Sequence, residues 1–386
     1  MAEFSVADRK YMVRAIQLAK LGQYTTHPNP NVGCVLVRDG QVLAEGWTQP
    51  AGEAHAEVHA LQQINHQAAG ATAYVTLEPC SHYGRTPPCS DALVKSGVKR
   101  VVAAMVDPNP LVSGRGLDKL RQAGVETQHG LLESQVRQLM PGFISAMQRQ
   151  QPFVRVKMAQ SLDGRTAMAS GESVWITGQA ARRDVQFWRA RAGAILTGID
   201  TVLMDKPSMN VRLDAEDLGI DGVVRQPLRV ILDSQLRCPP DAKLLQLAGD
   251  VLIYTCSEDN DKIRQLQDQG VRVERLSSVG DSIAEHSHGV AGDITDARLD
   301  LKAVLSALHA EGVNLVHVEA GATLSGAFVV QGLVDELLIY TAPFLMGSDA
   351  RALLNMPLQT MQQGLRLQVY DMRAIGDDWR ILAGFK

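Results

Sequence analysis

LEPCSHYGRTPPCSDAL, running from Leu77 to Leu93, carries two of the five cysteines in a chain of 386 residues. Cys80 follows one proline and Cys89 follows two, with a polar loop, SHYGRTPP, between them. Five cysteines is an odd and sparse count, which excludes a secreted disulfide framework. No charged segment leading into a short apolar run opens the chain, and no uninterrupted apolar stretch nears the ~20 residues of a membrane span. The expected compartment is therefore the reducing cytoplasm, where paired cysteines more often hold metal than each other.

Upstream lies GEAHAEVHALQQI, which reads as a helix with His55, Glu57 and His59 in its first turn. His55 starts that helix, and Cys80 and Cys89 flank the loop that starts another. Helix N-termini lower thiol pKa values and favour the thiolate that binds metal. One imidazole and two thiolates leave a tetrahedral zinc ion one open position, as in catalytic sites. Glu57, two residues beyond His55, is placed to take a proton from a water activated there and deliver it to a leaving amine. His-x-Glu followed by Pro-Cys and a second Cys is the arrangement of zinc deaminases. Two rival readings stand beside it. His55 and His59 at i,i+4 could form a helix-face pair, although the glutamate is one place away from HExxH. The cysteines could instead hold a structural zinc with His82 as fourth ligand, which leaves Glu57 without a role.

Around this motif the sequence reads as one α/β layer structure. SVADRKYMVRAIQLAKLG is an amphipathic helix with capping-box spacing at Ser5 and Asp8. NVGCVLVRDGQVLAEGW is a hairpin turning at Asp39-Gly40, with Cys34 a buried core thiol. TAYVTLEPC, RVVAAMVDP and VETQHG are strands, each followed by a helix. The sum is a five-stranded mixed sheet, a hairpin followed by parallel strands, covered by helices. The long loop between the cysteines brings His82 and Arg85 beside the metal, and an arginine there suits a substrate phosphate. Asn29, in HPNPNVG, could hydrogen-bond the edge of a heterocycle or simply make an Asn-Pro turn.

His55-Ala56-Glu57, EPCSHYGRTPPC and PNPNVG together resemble the deaminase half of the bifunctional deaminase–reductase family of riboflavin biosynthesis. That resemblance implies zinc-dependent deamination of a phosphoribosylaminopyrimidine, then NADPH-dependent reduction of its ribose to a ribityl chain. It also implies an N-terminal cytidine-deaminase-like three-layer domain over 1–146 and a dihydrofolate-reductase-like α/β domain over 151–386. The polar stretch MQRQQPF, Met147 to Phe153, marks the boundary.

Beyond it, FVRVKMAQSLDG, AGAILTG, LRVILDSQ, DVLIYT and NLVHVEAG read as strands of a second α/β domain. No G-x-G-x-x-G follows any of them, so an ordinary dinucleotide fold is unsupported. In VHVEAGATLSGAFVVQG a strand ends at Glu319 and a helix begins near Thr323, a start suited to a cofactor pyrophosphate. SLDGRTAMASGESVWIT, ARRDVQFWRARAGAILTGIDTVLMDKPSMNVR and ILDSQLR are similar to the family's reductase half. The resemblance puts Ala159, Trp175, Thr201, Asp205, Ser234, Gly321, Ala322, Thr323, Leu324, Ser325, Gly326 and Ala327 near NADPH. It puts Ser173, Arg189, Met209, Arg212 and Glu319 near the substrate. Arg189, at the border of its helix's apolar face, can present a fork to phosphate. Asp205 and Glu319 are acids near strand ends, and either could donate a proton. The segments 214–222 and 274–300 read as surface loops.

Composition narrows the partners. At 45% hydrophobic and 21% charged the chain is ordinary globular material, and its net charge of −4 offers no global basic field for nucleic acid. A small phosphorylated pyrimidine, no nucleic acid, no membrane and a homo-oligomer are expected. The alternatives are a nucleic-acid deaminase, which would want a basic or aromatic channel, and a zinc-binding module joined to a nucleotide sensor.

Overall fold

The computed structural model describes residues 4–83, 87–173, 175–278 and 298–386. It divides into two compact units, Met1–Gln151 with Ala215–Val223, and Pro152–Asp214 with Val224–Lys386.

In the first unit helix α1 (Val6–Ala19) precedes a hairpin of β1 (Gly33–Arg38) and β2 (Gln41–Trp47). Asp39 and Gly40 both take positive φ, 51° and 77°, the backbone a two-residue hairpin turn needs. Then come α2 (Ala56–Gln62), β3 (Thr72–Val75), α3 (Cys89–Lys95), β4 (Arg100–Ala103), α4 (Arg115–Gln122), β5 (Glu126–His129), α5 (Glu133–Leu139) and α6 (Pro141–Arg149). The strands form a five-stranded sheet in the order β2-β1-β3-β4-β5. β1 is antiparallel to both β2 and β3, and β3, β4 and β5 run parallel. The expected mixed sheet is thus what the chain forms.

Two local features set the sheet against its helices. Ser5 and Asp8 make the anticipated capping box at the start of α1, but Asp8 also reaches inward. Its carboxylate accepts from Arg100 Nη1 on β4 (2.7 Å) and from the Tyr74 hydroxyl on β3 (2.8 Å). Burial opposes the charge on Asp8, yet hydrogen bonds from Arg100, Ser5 and Tyr74 outweigh it and hold the carboxyl well below the usual range. On β2, a Cβ at Gly46 would lie 2.3 Å from the Ala56 carbonyl oxygen. Only glycine lets the start of α2 approach that strand so closely.

The second unit is built on a nine-stranded sheet. Its elements run β6 (Phe153–Ser161), β7 (Arg165–Ala167), α7 (Gln179–Arg191), β8 (Ala194–Gly198), α8 (Ile199–Asp205), α9 (Ala215–Leu218, which groups with the first unit), β9 (Leu228–Leu232), β10 (Val251–Thr255), α10 (Asn260–Gln267) and β11 (Arg272–Arg275). They continue through α11 (Leu301–Ala310), β12 (Leu315–Val318), α12 (Ala322–Val330), β13 (Glu336–Ala342), β14 (Arg351–Ala352), β15 (Leu367–Ile375) and β16 (Asp378–Phe385). The sheet order is β11-β10-β9-β8-β12-β6-β13-β16-β15, parallel from β11 to β13 and antiparallel beyond. Alternate residues of β8, β9 and β10 feed cores on opposite faces: Leu196, Val230 and Leu252 on one, Ile195, Ile231 and Ile253 on the other. That is why these strands read as continuous apolar runs.

Several expectations are modified here. The polar stretch at the boundary completes α6 before β6 begins at Phe153. Segment 214–222 contains α9, and Glu274 and Arg275 end β11, while Ser278 bridges to Leu299. Most of 274–300 lies outside the described residues.

Removing the Asp8 charge tests the first of these anchors. Asp8→Asn is expected to cost about 2–3 kcal/mol at neutral pH, less than a fully buried pair would lose, because the Arg100 side chain keeps 21% exposure. A carboxyl whose folded pKa is depressed contributes its stability above the unfolded value and loses it as pH falls toward the folded one. Urea midpoints should therefore separate wild type and Asp8→Asn widely at pH 7 and less at pH 3; an unchanged gap would count against the ion-pair account.

Candidate active sites

His55 is the N-cap of α2, with extended backbone, and Cys89 is the first residue of α3. Cys80 lies between them, beyond the end of β3. The three donor atoms lie within 4.8 Å of one another. His55 Nδ1 is 3.7 Å from Cys80 Sγ and 3.3 Å from Cys89 Sγ. Tetrahedral zinc, with Zn–S ~2.3 Å and Zn–N ~2.0 Å, needs N···S separations of about 3.6 Å. The donor set therefore fits zinc in both chemistry and spacing, with one position left for a reactant. The Cys89 N–H donates to Cys80 Sγ at 3.2 Å, and interaction with the Cys89 side chain holds the Cys80 thiol well below its usual range.

Glu57 is 4% exposed on α2. Burial, then the negative charge of Cys80, pushes its carboxyl up to about 7. His59 does not join the metal group. Its Nδ1 meets the Trp47 N–H at 3.4 Å and the Gln49 amide at 3.1 Å, and its ring stands edge-on to Trp47. His82 is exposed and outside the group, and Arg85 lies outside the described residues. Asn29 is half-buried in the turn before β1, its N–H donating to the Thr26 carbonyl. Cys34 is fully buried in β1.

In the second unit the expected residues gather at the C-terminal ends of the parallel strands, where open α/β sheets bind ligands. Ala159 is on β6, Thr201 and Asp205 on α8 after β8, Ser234 after β9, and Glu319 and Gly321 after β12. Gly321 caps α12 with no side chain over the helix start, and Thr323 is exposed there. Trp175 is 71% exposed with the Arg182 guanidinium 4.5 Å above its ring. Ser173 donates weakly to Asp205 (3.4 Å). Met209 is buried in the core, with left-handed backbone (φ 47°).

Arg189 is 8% exposed and already committed. Its Nε and Nη2 donate to the two Glu319 oxygens (2.6 and 2.8 Å), and Nη1 donates to the Asn210 carbonyl (2.9 Å). Burial opposes the Glu319 charge, but Arg189 wins and holds the carboxyl well below the usual range. His317 is buried beneath the pair, 3.3 Å from Glu319, and burial lowers its pKa. Sequence reasoning missed Lys157. Val318 pairs with Val156 on β6, so Lys157 is at the level of Glu319. Burial lowers its pKa against the pull of Glu319, and among the described residues it makes no ion pair or hydrogen bond through its side chain. A lysine two residues after Arg155 in the alternating run of β6 was the available signal. Arg212 is exposed nearby, its side chain likewise without a partner.

Fold and sites together define a zinc-dependent deaminase domain joined to an α/β reductase domain. The family described as cytidine and deoxycytidylate deaminase zinc-binding region matches residues 5–105, and the one described as RibD C-terminal domain matches 152–381. The chain is 46% identical to the riboflavin biosynthesis protein RibD of Escherichia coli, covering 96% of this chain and 97% of that one. It is 46% identical to the RibD of Haemophilus influenzae, covering 99% and 98%. Among solved structures, Acinetobacter baumannii RibD superposes with a TM-score of 0.86 at 46% identity, covering 98% of this chain and 99% of that one. A deaminase/reductase of Thermotoga maritima gives 0.81 at 30% identity, with the same coverage. The chain belongs to the RibD family of riboflavin biosynthesis proteins.

The donor set makes a direct prediction. Cys80→Ser or Cys89→Ser should sharply lower the zinc content of the purified chain, since a hydroxyl is a poorer zinc ligand than a thiolate. Cys34→Ser, Cys238→Ser and Cys256→Ser should leave it near one per chain by atomic absorption. Loss of metal from Cys34→Ser would show the ligand set to be wrong.

Proposed function

We propose that this chain catalyses two consecutive reactions on one phosphorylated pyrimidine: hydrolytic deamination by residues of 1–146, then NADPH-dependent reduction of the ribose by residues of 151–386. The observation that carries it is the His55, Cys80 and Cys89 donor set, with an open position and Glu57 beside it. The Thermotoga relative is named a diaminohydroxyphosphoribosylaminopyrimidine deaminase and 5-amino-6-(5-phosphoribosylamino)uracil reductase, and the same substrates are proposed here.

When bound, zinc supplies a Lewis acid that activates water, and NADPH supplies a hydride. Glu57 takes the proton of the attacking water on its carboxylate and hands it to the departing amine. Its burial suits both tasks, because a carboxyl with a raised pKa accepts and releases a proton near neutral pH. Asn29, His82 and Arg85 are proposed to meet the heterocycle and its phosphate. In the reductase half the open start of α12, Gly321 to Leu324, offers amides to the cofactor pyrophosphate, with Ser325, Gly326 and Ala327 continuing the same segment. Ala159, Trp175, Thr201, Asp205 and Ser234 complete its surroundings. Arg189 holds Glu319 charged and aimed at the sugar, with Ser173 and the Met209 segment alongside. The cations of Lys157 and Arg212, without an ion-pair partner among the described residues, then meet the substrate's own negative charge.

A second copy of the chain completes the reading. β15 is an edge strand with both faces exposed, and Leu367, Val369, Tyr370 and Met372 are each 38–57% accessible. Such an edge invites a partner strand or sheet. Sedimentation velocity at micromolar concentration should give a dimer or larger; a monomer would reject this part of the proposal. The compartment proposed is the cytoplasm, in keeping with five cysteines that form no disulfide among the described residues, and cell fractionation tests it.

Paired variants test the two chemistries. Glu57→Gln should keep its zinc, lose deamination by roughly 100- to 10,000-fold, and still reduce substrate that is already deaminated. Arg212→Ala should deaminate normally but show a raised KM in reduction, worth roughly 1.5–3 kcal/mol if it makes a charge-assisted bond. Ammonia release and NADPH oxidation read the two halves separately. A Glu57→Gln chain without zinc, or with full deamination, would contradict the assigned roles.

A further inference from the structure

Glu78 precedes the Pro79–Cys80 turn, and the mechanism above makes no use of it. Its side chain is 2% exposed and carries four hydrogen bonds, all donated by backbone N–H groups. Oε1 accepts from Gly116 (2.9 Å) and Leu117 (3.1 Å), and Oε2 accepts from Asp107 (3.0 Å) and Gly114 (2.9 Å). Gly116 and Leu117 lie in the first turn of α4. The N-cap of that helix, Gly114, has left-handed backbone and no side chain to offer. A carboxylate 38 residues upstream of Gly116 therefore does the capping.

The contact is close as well as polar. A Cβ at Gly116 would stand 1.9 Å from the Pro79 carbonyl oxygen, so the helix start lies directly on the turn that leads into Cys80. On its other side Cys80 is gripped by α3, whose Cys89 and Ser90 N–H groups donate to its Sγ and carbonyl. A metal site accepts ligand errors of only about 0.2 Å. Two helix starts bracketing one turn are a means of meeting that tolerance.

We propose that Glu78 is a positioning residue for the metal: it clamps α4 and the Asp107–Gly114 loop onto the Pro79–Cys80 turn and thereby sets where the Cys80 thiolate stands. This rests on the zinc reading. Only a carboxylate can serve, because it accepts on both oxygens, whereas the amide nitrogen of glutamine would confront two N–H donors.

The test uses the full chain. Zinc affinity is measured by competition with a chromophoric chelator, and ligand geometry by the visible spectrum of the cobalt(II)-substituted protein. Glu78→Gln should weaken zinc binding roughly 10- to 100-fold and alter the cobalt–thiolate bands. Asp8→Asn, which removes a different buried carboxylate of the same unit, should lower thermal stability yet bind zinc as wild type does. A cooperative thermal melt and the amide exchange of α4 and the five-stranded sheet report that each variant has folded in the first unit. Gly116→Ala, which wedges a methyl group against Pro79, should reproduce the zinc defect and decides the matter if Glu78→Gln misfolds. Wild-type zinc affinity and cobalt spectrum in either folded variant, whatever its melting temperature, would overturn the proposal. A wild-type chain that binds no zinc would overturn the metal reading instead.

Discussion

Three donors about 3.6 Å apart come here from separate segments of the chain, and the first unit is arranged around that constraint. His55 lies 25 residues before Cys80 and 34 before Cys89, so only the sheet brings them together. The close approach at Gly46 sets where α2 begins, and hence where His55 stands. Both α2 and α3 start at the metal, and their N-terminal dipoles favour the thiolates and the carboxylate gathered there. Burying Glu57 among these groups raises its pKa, which suits the proton transfer proposed for it.

The second unit solves a different problem, keeping a carboxylate ionised inside a protein. A buried ion pair seldom adds stability over apolar packing, because two charges must be desolvated. Retaining Glu319 and Arg189 in a bidentate pair is therefore better explained by function than by folding. The parallel strands supply the place: β12 inserts between β8 and β6, and ligands of open α/β sheets bind at the C-terminal ends of such strands. Lys157 on β6 and Arg212 near Arg189 leave positive charge unbalanced there, which suits a phosphorylated ligand.

Much of this was legible because the relevant residues are neighbours in sequence. The Asp39-Gly40 turn, the Ser5–Asp8 capping box and the His55-x-Glu57 and Pro-Cys pairs all express local geometry or local chemistry. Long-range events were not legible. That Asp8 also anchors Arg100 and Tyr74 depends on β3 and β4 lying beside α1. Lys157 was passed over because an alternating run hides which positions face a ligand. Strands β13, β15 and β16 went unassigned, although LLIY in β13 is an apolar, β-rich run and Gly376 marks a turn between two β-rich runs. Arg189 looked like a phosphate fork until its partner, just beyond the end of distant strand β12, was in view.

The sequence by itself determined the kind of chemistry, since thiolates, imidazole and a carboxylate at helix starts admit few uses. It also determined the order of elements in the first sheet. Tertiary structure alone decided which acid each arginine holds, which lysine is left unpaired and which carboxylate caps α4. The reason is physical: hydrogen bonds and ion pairs act over about 3 Å, and residues such as Glu78 and Gly116, or Arg189 and Glu319, come within that distance only after the sheets have formed.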